Sequence, residues 1–259
     1  MAPKMRNQNV IILPTEEDVA MGLAPYVAGL SEKNILEKGS FTVVLSGGTL
    51  IQTLRKLTQS PYKETVNWSR WFIFWVDERV VPLDNPDSNY LLAWNGFLSK
   101  VPIPSSNIYP IHYCPSSEVV AKDYQFQLLK LVERKVLPLS PTGFPQFDLM
   151  LLGIGPDGHV ASLFPNRPQR YDKTDWVTYI NDSPKPPPKR ITFTFPVINS
   201  ANNIAMVVTD KEEADAVAIT LENIPVRPPL PCSEVKAQVL LTWFLDKDAA
   251  SKLAPKCNK

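Results

Sequence analysis

Five short runs of the chain are apolar almost without interruption: Phe41–Leu45 (FTVVL), Trp71–Val76 (WFIFWV), Phe147–Leu152 (FDLMLL), Ile204–Val208 (IAMVV) and Leu240–Leu245 (LLTWFL). Runs this short, with little polar alternation, predict strands covered on both faces, as in a parallel sheet. Between them, apolar residues recur at helical spacing in EEDVAMGLAPYVAGLSEKN, LIQTLRKLT, SEVVAKDYQFQLLKLVERKVL and KEEADAVAITLENI. Strand and helix therefore alternate. The first two runs start about thirty residues apart, the length of one βαβ unit with its crossover helix. The pattern predicts an α/β fold with a doubly wound, mainly parallel sheet, in a single domain over residues 1–259. The prolines of PKPPPKR and IPVRPPLP predict rigid surface connections within it.

In such sheets ligands bind beyond the carboxyl ends of the strands, so the residues after each run carry the candidate chemistry. Leu45 is followed by Ser46-Gly47-Gly48-Thr49. Bare glycine backbone between a strand and a helix suits an anion, and equally suits an ordinary turn with Thr49 as helix cap. Val76 is followed by Asp77-Glu78-Arg79, either a solvated charge cluster or a site wall with Arg79 as planar anion clamp. Downstream, Asp87, Ser88 and Asn89 predict turn or helix-capping chemistry.

The third strand end, GIGPDGHVASLFP, places Gly153, Gly155 and Gly158 at the G-x-G-x-x-G spacing of a dinucleotide loop. That loop must open a full crossover helix, whereas Pro165 leaves only a turn or two of HVASLF. Chemistry is the better expectation. His159 is one of two histidines, with His112, and its neutral imidazole takes a proton from water when Asp157 orients it. Against this stands a merely packed histidine. Lys189-Arg190, after a triple proline, is either a solvated loop or a pre-organised phosphate ligand through Arg190.

Composition narrows the classes. A formal net charge of +1 lacks the basic footprint of a nucleic-acid or anionic-membrane binder. Cys114, Cys232 and Cys257 form no C-x-x-C pair and predict reduced thiols in the cytosol. The run VIIL after Lys4 and Arg6 is too short for a signal peptide, and no segment reaches membrane-spanning length. Two distant histidines and unpaired cysteines predict no metal site.

Together, LSGGT, WFIFWVDERVVPLDNPDSNY, FDLMLLGIGPDGHVASLFP and PPPKRITFTFPVINSA resemble the 6-phosphogluconolactonase family in its plant form, from about Val10 to about Ser251. The resemblance implies a Rossmann-like fold shared with glucosamine-6-phosphate deaminases and ribose-5-phosphate isomerases, and action on a phosphorylated sugar lactone without metal or organic cofactor; nothing in the sequence demands more than a monomer. It implies that His159 is the general base, Asp157 its support, Arg79 and Arg190 ligands of substrate oxygens and phosphate, and Ser46, Gly47, Gly48, Thr49 and Asp77 the pocket lining. Ser162, three residues after His159, lies in no G-x-S-x-G elbow and is expected to cap or pack.

The deaminase branch is expected to carry a pattern such as G-H-I-A-F-N-E-P, and here Phe164 stands at the glutamate. Two motifs depart from the lactonase pattern. T-G-x-x-K-A becomes TDKEEADA, with Asp210 at the glycine and Glu213 at a lysine that helps hold phosphate, unless Lys211 substitutes for it. L-P-A-R-x-V becomes LPCSEV, with Cys232, Ser233 and Glu234. Both trade positive charge for negative. The alternatives are accordingly a weakened or repurposed homologue that binds rather than hydrolyses, and an amino-sugar phosphate enzyme.

Overall fold

A computed structural model describes residues 7–254; Lys4, Arg6 and Cys257 lie outside them. In chain order the elements are β1 (Gln8–Leu13), α1 (Glu16–Lys38), β2 (Phe41–Leu45), α2 (Leu50–Thr53), α3 (Tyr62–Thr65), β3 (Trp71–Trp75), β4 (Asp77–Arg79), α4 (Asn89–Gly96), α5 (Ser117–Glu133), β5 (Leu149–Leu152), β6 (Val177–Ile180), β7 (Arg190–Phe193), α6 (Phe195–Ile198), β8 (Asn203–Val208), α7 (Ala214–Leu221) and β9 (Leu240–Asp246). Six strands form a parallel sheet in the order β1-β9-β8-β5-β2-β3. The five apolar runs are strands of this sheet. β2, β5 and β8 are buried at every position, as strands covered on both faces require.

The sixth strand, β1, contains the VIIL run. It lies at the sheet edge on β9, with Ile11 and Ile12 exposed, so its pattern lacks the double-sided burial that marks its neighbours. A second, antiparallel sheet of order β4-β7-β6 adds two strands, β4 and β6, with no apolar run at all. The pivot is Val76. Its N–H donates to Leu45 O at 2.9 Å in the first sheet, and its carbonyl accepts from Phe193 N–H at 2.7 Å in the second. Asp77-Glu78-Arg79 is thus a strand of the second sheet rather than a solvated cluster beyond the first. Val177, Ile191 and Phe193 of the second sheet share a core with Met150 and Trp243 of the first and with Phe147 just before β5.

The chain steps outward from β2 to β3 and then returns to place β5 on the other side of β2. The β2/β5 boundary is where a doubly wound sheet opens a crevice. Its register is pinned at the opposite end by Asp148, whose Oδ2 accepts from Thr42 N–H (2.8 Å) and Thr42 Oγ1 (2.9 Å). Asp148 N–H donates back to Thr42 Oγ1 at 3.0 Å, and Lys38 Nζ lies 2.7 Å from Asp148 Oδ1.

Asp148→Ala leaves the buried Thr42 N–H without its acceptor. The expected loss is about 1–3 kcal/mol, read as a lower urea midpoint at unchanged slope; an unchanged midpoint contradicts the pin.

Candidate active site

At the β2/β5 crevice, Ser46 N–H donates to Leu151 O at 3.1 Å, and Ser46 Oγ accepts from Gly153 N–H at 3.2 Å. The turn then needs its glycines. A Cβ on Gly47 falls 2.0 Å from Asn89 Oδ1, and Gly48 has φ +74°, a left-handed conformation that favours glycine. Thr49 makes no side-chain capping bond, and the helix it opens is only four residues long. Ser46, Gly47, Gly48 and Thr49 instead line a cavity with Asp77, Arg79, Asn89, Gly153, His159 and Arg190. Its volume of about 180 Å³ is below the roughly 300–1,000 Å³ of drug-sized pockets.

One wall is a hydrogen-bonded chain. Ser162 Oγ donates to Asp77 Oδ2 at 2.8 Å and accepts from Arg190 Nη1 at 3.3 Å. Its hydroxyl is committed to the wall, consistent with a packing role. Arg190, 3% exposed, also donates to the carbonyls of Lys185 (3.0 Å), Pro186 (2.9 Å) and Pro187 (3.1 Å). Those prolines therefore present acceptors to a buried guanidinium as well as connecting strands. Burial lowers the Arg190 pKa, with Arg79 adding to the shift and Asp77 opposing it. Arg79 Nη1 donates to Asp87 O at 2.8 Å, while its buried Nε has no protein partner.

The segment after β5 folds back on itself. Gly155 N–H donates to His159 O at 3.0 Å, and Gly158 N–H to Gly155 O at 2.8 Å. No helix follows: Val160 bridges Ile154 and Leu163, and Ala161 turns at φ +53°. This replaces the expected short helix in HVASLF. A Cβ on Gly155 falls 2.1 Å from His159 Cε1 and 3.0 Å from Asp157 Oδ1, so this glycine makes room for the imidazole. Gly158 has φ +76°, and a Cβ there falls 2.8 Å from Leu230 Cβ. Of the three motif glycines, only Gly153 lines the cavity; the other two serve the loop.

His159 Nδ1 lies 2.5 Å from Asp157 Oδ1. With Nδ1–H donated to this carboxylate, Nε2 keeps its lone pair. Burial pushes the Asp157 carboxyl up, but the hydrogen bond and charge of His159 outweigh it and leave its pKa lowered. The imidazole also packs on Phe164, ring centres 4.7 Å apart. Asp157 is not among the cavity-lining residues; it meets the cavity only through its contact with His159. His112 is exposed on Asp123, outside the cavity.

Asp210 and Glu213 line the cavity and Lys211 does not. Burial pushes the Glu213 carboxyl up to about 7, with Asp210 adding to it, and Glu213 Oε2 has no protein partner. The second motif change is different. Glu234 receives buried Arg170, Nη2 to Oε1 at 2.9 Å, so its charge is neutralised away from the cavity. Asn89, marked in the sequence only as turn or capping chemistry, is both first residue of α4 and cavity lining. Among the described residues no cluster of three His, Cys, Asp or Glu suits a metal.

Residues 14–243 match the family model of glucosamine-6-phosphate isomerases/6-phosphogluconolactonase. The chain is 54% identical over 252 residues to probable 6-phosphogluconolactonase 4, chloroplastic, of Oryza sativa subsp. indica, covering 95% of this chain and 77% of the relative. It is 52% identical over 254 residues to probable 6-phosphogluconolactonase 5 of Arabidopsis thaliana, covering 96% and 100%. The crystal structure of 6-phosphogluconolactonase from Thermotoga maritima superposes with a TM-score of 0.78 at 28% identity, covering 93% of this chain and 100% of that one.

Gly155→Ala is expected to displace the His159 imidazole, read as a shift of its ring NMR resonances. A stability loss of about 1–3 kcal/mol accompanies it. An unmoved ring at full stability contradicts the packing described.

Proposed function

Because the chain belongs to the glucosamine-6-phosphate isomerase/6-phosphogluconolactonase family, we propose that it hydrolyses 6-phospho-D-glucono-1,5-lactone to 6-phospho-D-gluconate, in the oxidative pentose phosphate pathway. The observation that carries this reading is that His159, backed by Asp157, shares one cavity with Arg79 and Arg190.

A lactone carbonyl is already electrophilic, so a positioned water, a base and stabilisation of the oxyanion suffice. His159 Nε2 takes a proton from the water as its oxygen bonds to C1, and the carbonyl electrons move to the exocyclic oxygen. Asp157 stabilises the imidazolium that forms. Collapse of the tetrahedral intermediate breaks the bond from C1 to the ring oxygen, which leaves as the C5 hydroxyl with the proton returned by His159. The new C1 carboxylic acid then ionises to solvent. Arg79 and Arg190 hold substrate oxygens and phosphate, Ser46, Gly47, Gly48 and Thr49 contact the ligand from the β2 side, and Asp77 holds the wall through Ser162.

Phe164 supports hydrolysis over amino-sugar isomerisation. It is fully buried against the imidazole and offers no group to shuttle a proton. We read the protein as a single domain working as a monomer, with neither nucleic acid nor membrane as partner. No helix among the described residues is long and apolar enough to cross a membrane. Free Cys114 and Cys232 fit a reducing compartment. We place the protein in the cytosol, with the chloroplast, named for the rice relative, as the alternative.

Asp210 and Glu213 favour a second reading, a homologue with weakened phosphate binding. Glu213, with its pKa raised to about 7, is neutral below that pH and opposes a phosphate above it. Hydrolysis above the spontaneous rate separates the two readings. We expect wild-type activity, a loss of about 10²–10⁴-fold in His159→Ala, and a KM that rises between pH 6 and 8 more steeply in wild type than in Glu213→Gln. A wild type at the spontaneous rate with activity gained in Glu213→Lys sinks the lactonase assignment.

A further inference from the structure

Glu78 is 1% exposed, lies between two cavity-lining residues, and has no part in the mechanism above. Its carboxylate is saturated by donors. Oε1 accepts from the N–H groups of Arg79 (2.8 Å) and Asn89 (2.7 Å). Oε2 accepts from Tyr90 N–H at 2.7 Å and Ser88 Oγ at 3.2 Å. Burial pushes this carboxyl up to about 7, against the pull of those backbone donors. An ionised group here is costly, and a neutral side chain does not offer the same set of acceptors.

What the carboxylate joins accounts for its burial. Ser88, Asn89 and Tyr90 are the cap and first two residues of α4, and Arg79 is the last residue of β4. Two more bonds run between the same segments. Asn89 Nδ2 donates to Asp77 O at 3.0 Å, and Arg79 Nη1 donates to Asp87 O at 2.8 Å. The two residues so fixed, Arg79 and Asn89, are the ones whose side chains reach the cavity. Each carries a buried polar atom without a protein partner, Nε in Arg79 and Oδ1 in Asn89.

We propose that Glu78 is a positioning residue that ties β4 to the N-terminus of α4 and thereby aims Arg79 and Asn89 at the substrate. This rests on the lactonase reading for its kinetic consequence but not for its geometry. The mechanism is pre-organisation. A guanidinium held in place before the oxyanion forms needs no reorientation at the transition state. Glu78→Gln replaces one acceptor oxygen with an NH₂ that confronts existing donors, so the segments part locally while the sheet beneath them persists.

The test compares wild type, Glu78→Gln and Glu78→Asp by lactone hydrolysis and by the NMR resonances of Arg79 Nε and Asn89 Nδ2, which need no turnover. In Glu78→Gln those resonances shift, kcat falls about 10- to 100-fold with a much smaller change in KM, and Glu78→Asp, which restores the charge, recovers part of the rate. Unmoved resonances, or a wild-type kcat in Glu78→Gln, overturn the proposal. If Glu78→Gln does not fold, Glu78→Asp carries both readouts against wild type, since retracting the carboxylate by one methylene moves the same two resonances. A wild type at the spontaneous rate with the resonances shifted in the variant sinks the lactonase reading and leaves the positioning of Arg79 and Asn89 standing.

Discussion

The contact between Asp157 Oδ1 and His159 Nδ1, 2.5 Å long and seated over a residue that has no Cβ, is the constraint that the site is built around. It selects the tautomer, leaving the other nitrogen free to accept a proton. It also demands a loop that places residue 157 beside residue 159, with Gly155 beneath both. The sheet meets that demand. β5 delivers Gly153 opposite Ser46 through a register that Asp148 pins from the far end of the same strand pair.

Around the imidazole the charges are arranged unevenly. Arg79 and Arg190 stand on the β4/β7 side, both restrained by carbonyls, with Asp77 joined to Arg190 through Ser162. Asp210 and Glu213 follow β8 and carry no matching cation into the cavity. On the proposed reading, a phosphate is drawn toward the arginines, and the β8 side disfavours it increasingly as Glu213 ionises. Glu234 has no such effect, because Arg170 neutralises it.

The parallel core was legible because strands buried on both faces leave uninterrupted apolar runs, and FTVVL or IAMVV is too short to be a buried helix. β1 was not, because an edge strand exposes Ile11 and Ile12 and loses that signature. β4 was hidden differently. Its three charged residues read as a solvated cluster or a site wall at a strand end, yet pairing with β7 buries Asp77 and Glu78 among donors. That Ser46, Asp77, Arg79, His159 and Arg190 line one cavity could be anticipated from the residues that follow the apolar runs and, for Arg190, from the prolines before it. Asn89 could not, since helix N-terminal chemistry hides its second use; Glu78 showed only as a charge, because the donors that saturate it come from residues 88–90 across a turn.

Whether an imidazole held by Asp157 deprotonates the attacking water is decided by the steady-state kinetics of Asp157→Asn. The expected result is a kcat loss of about 10²-fold or more with KM little changed, because Asp157 contacts His159 and does not line the cavity. A kcat within twofold of wild type contradicts it.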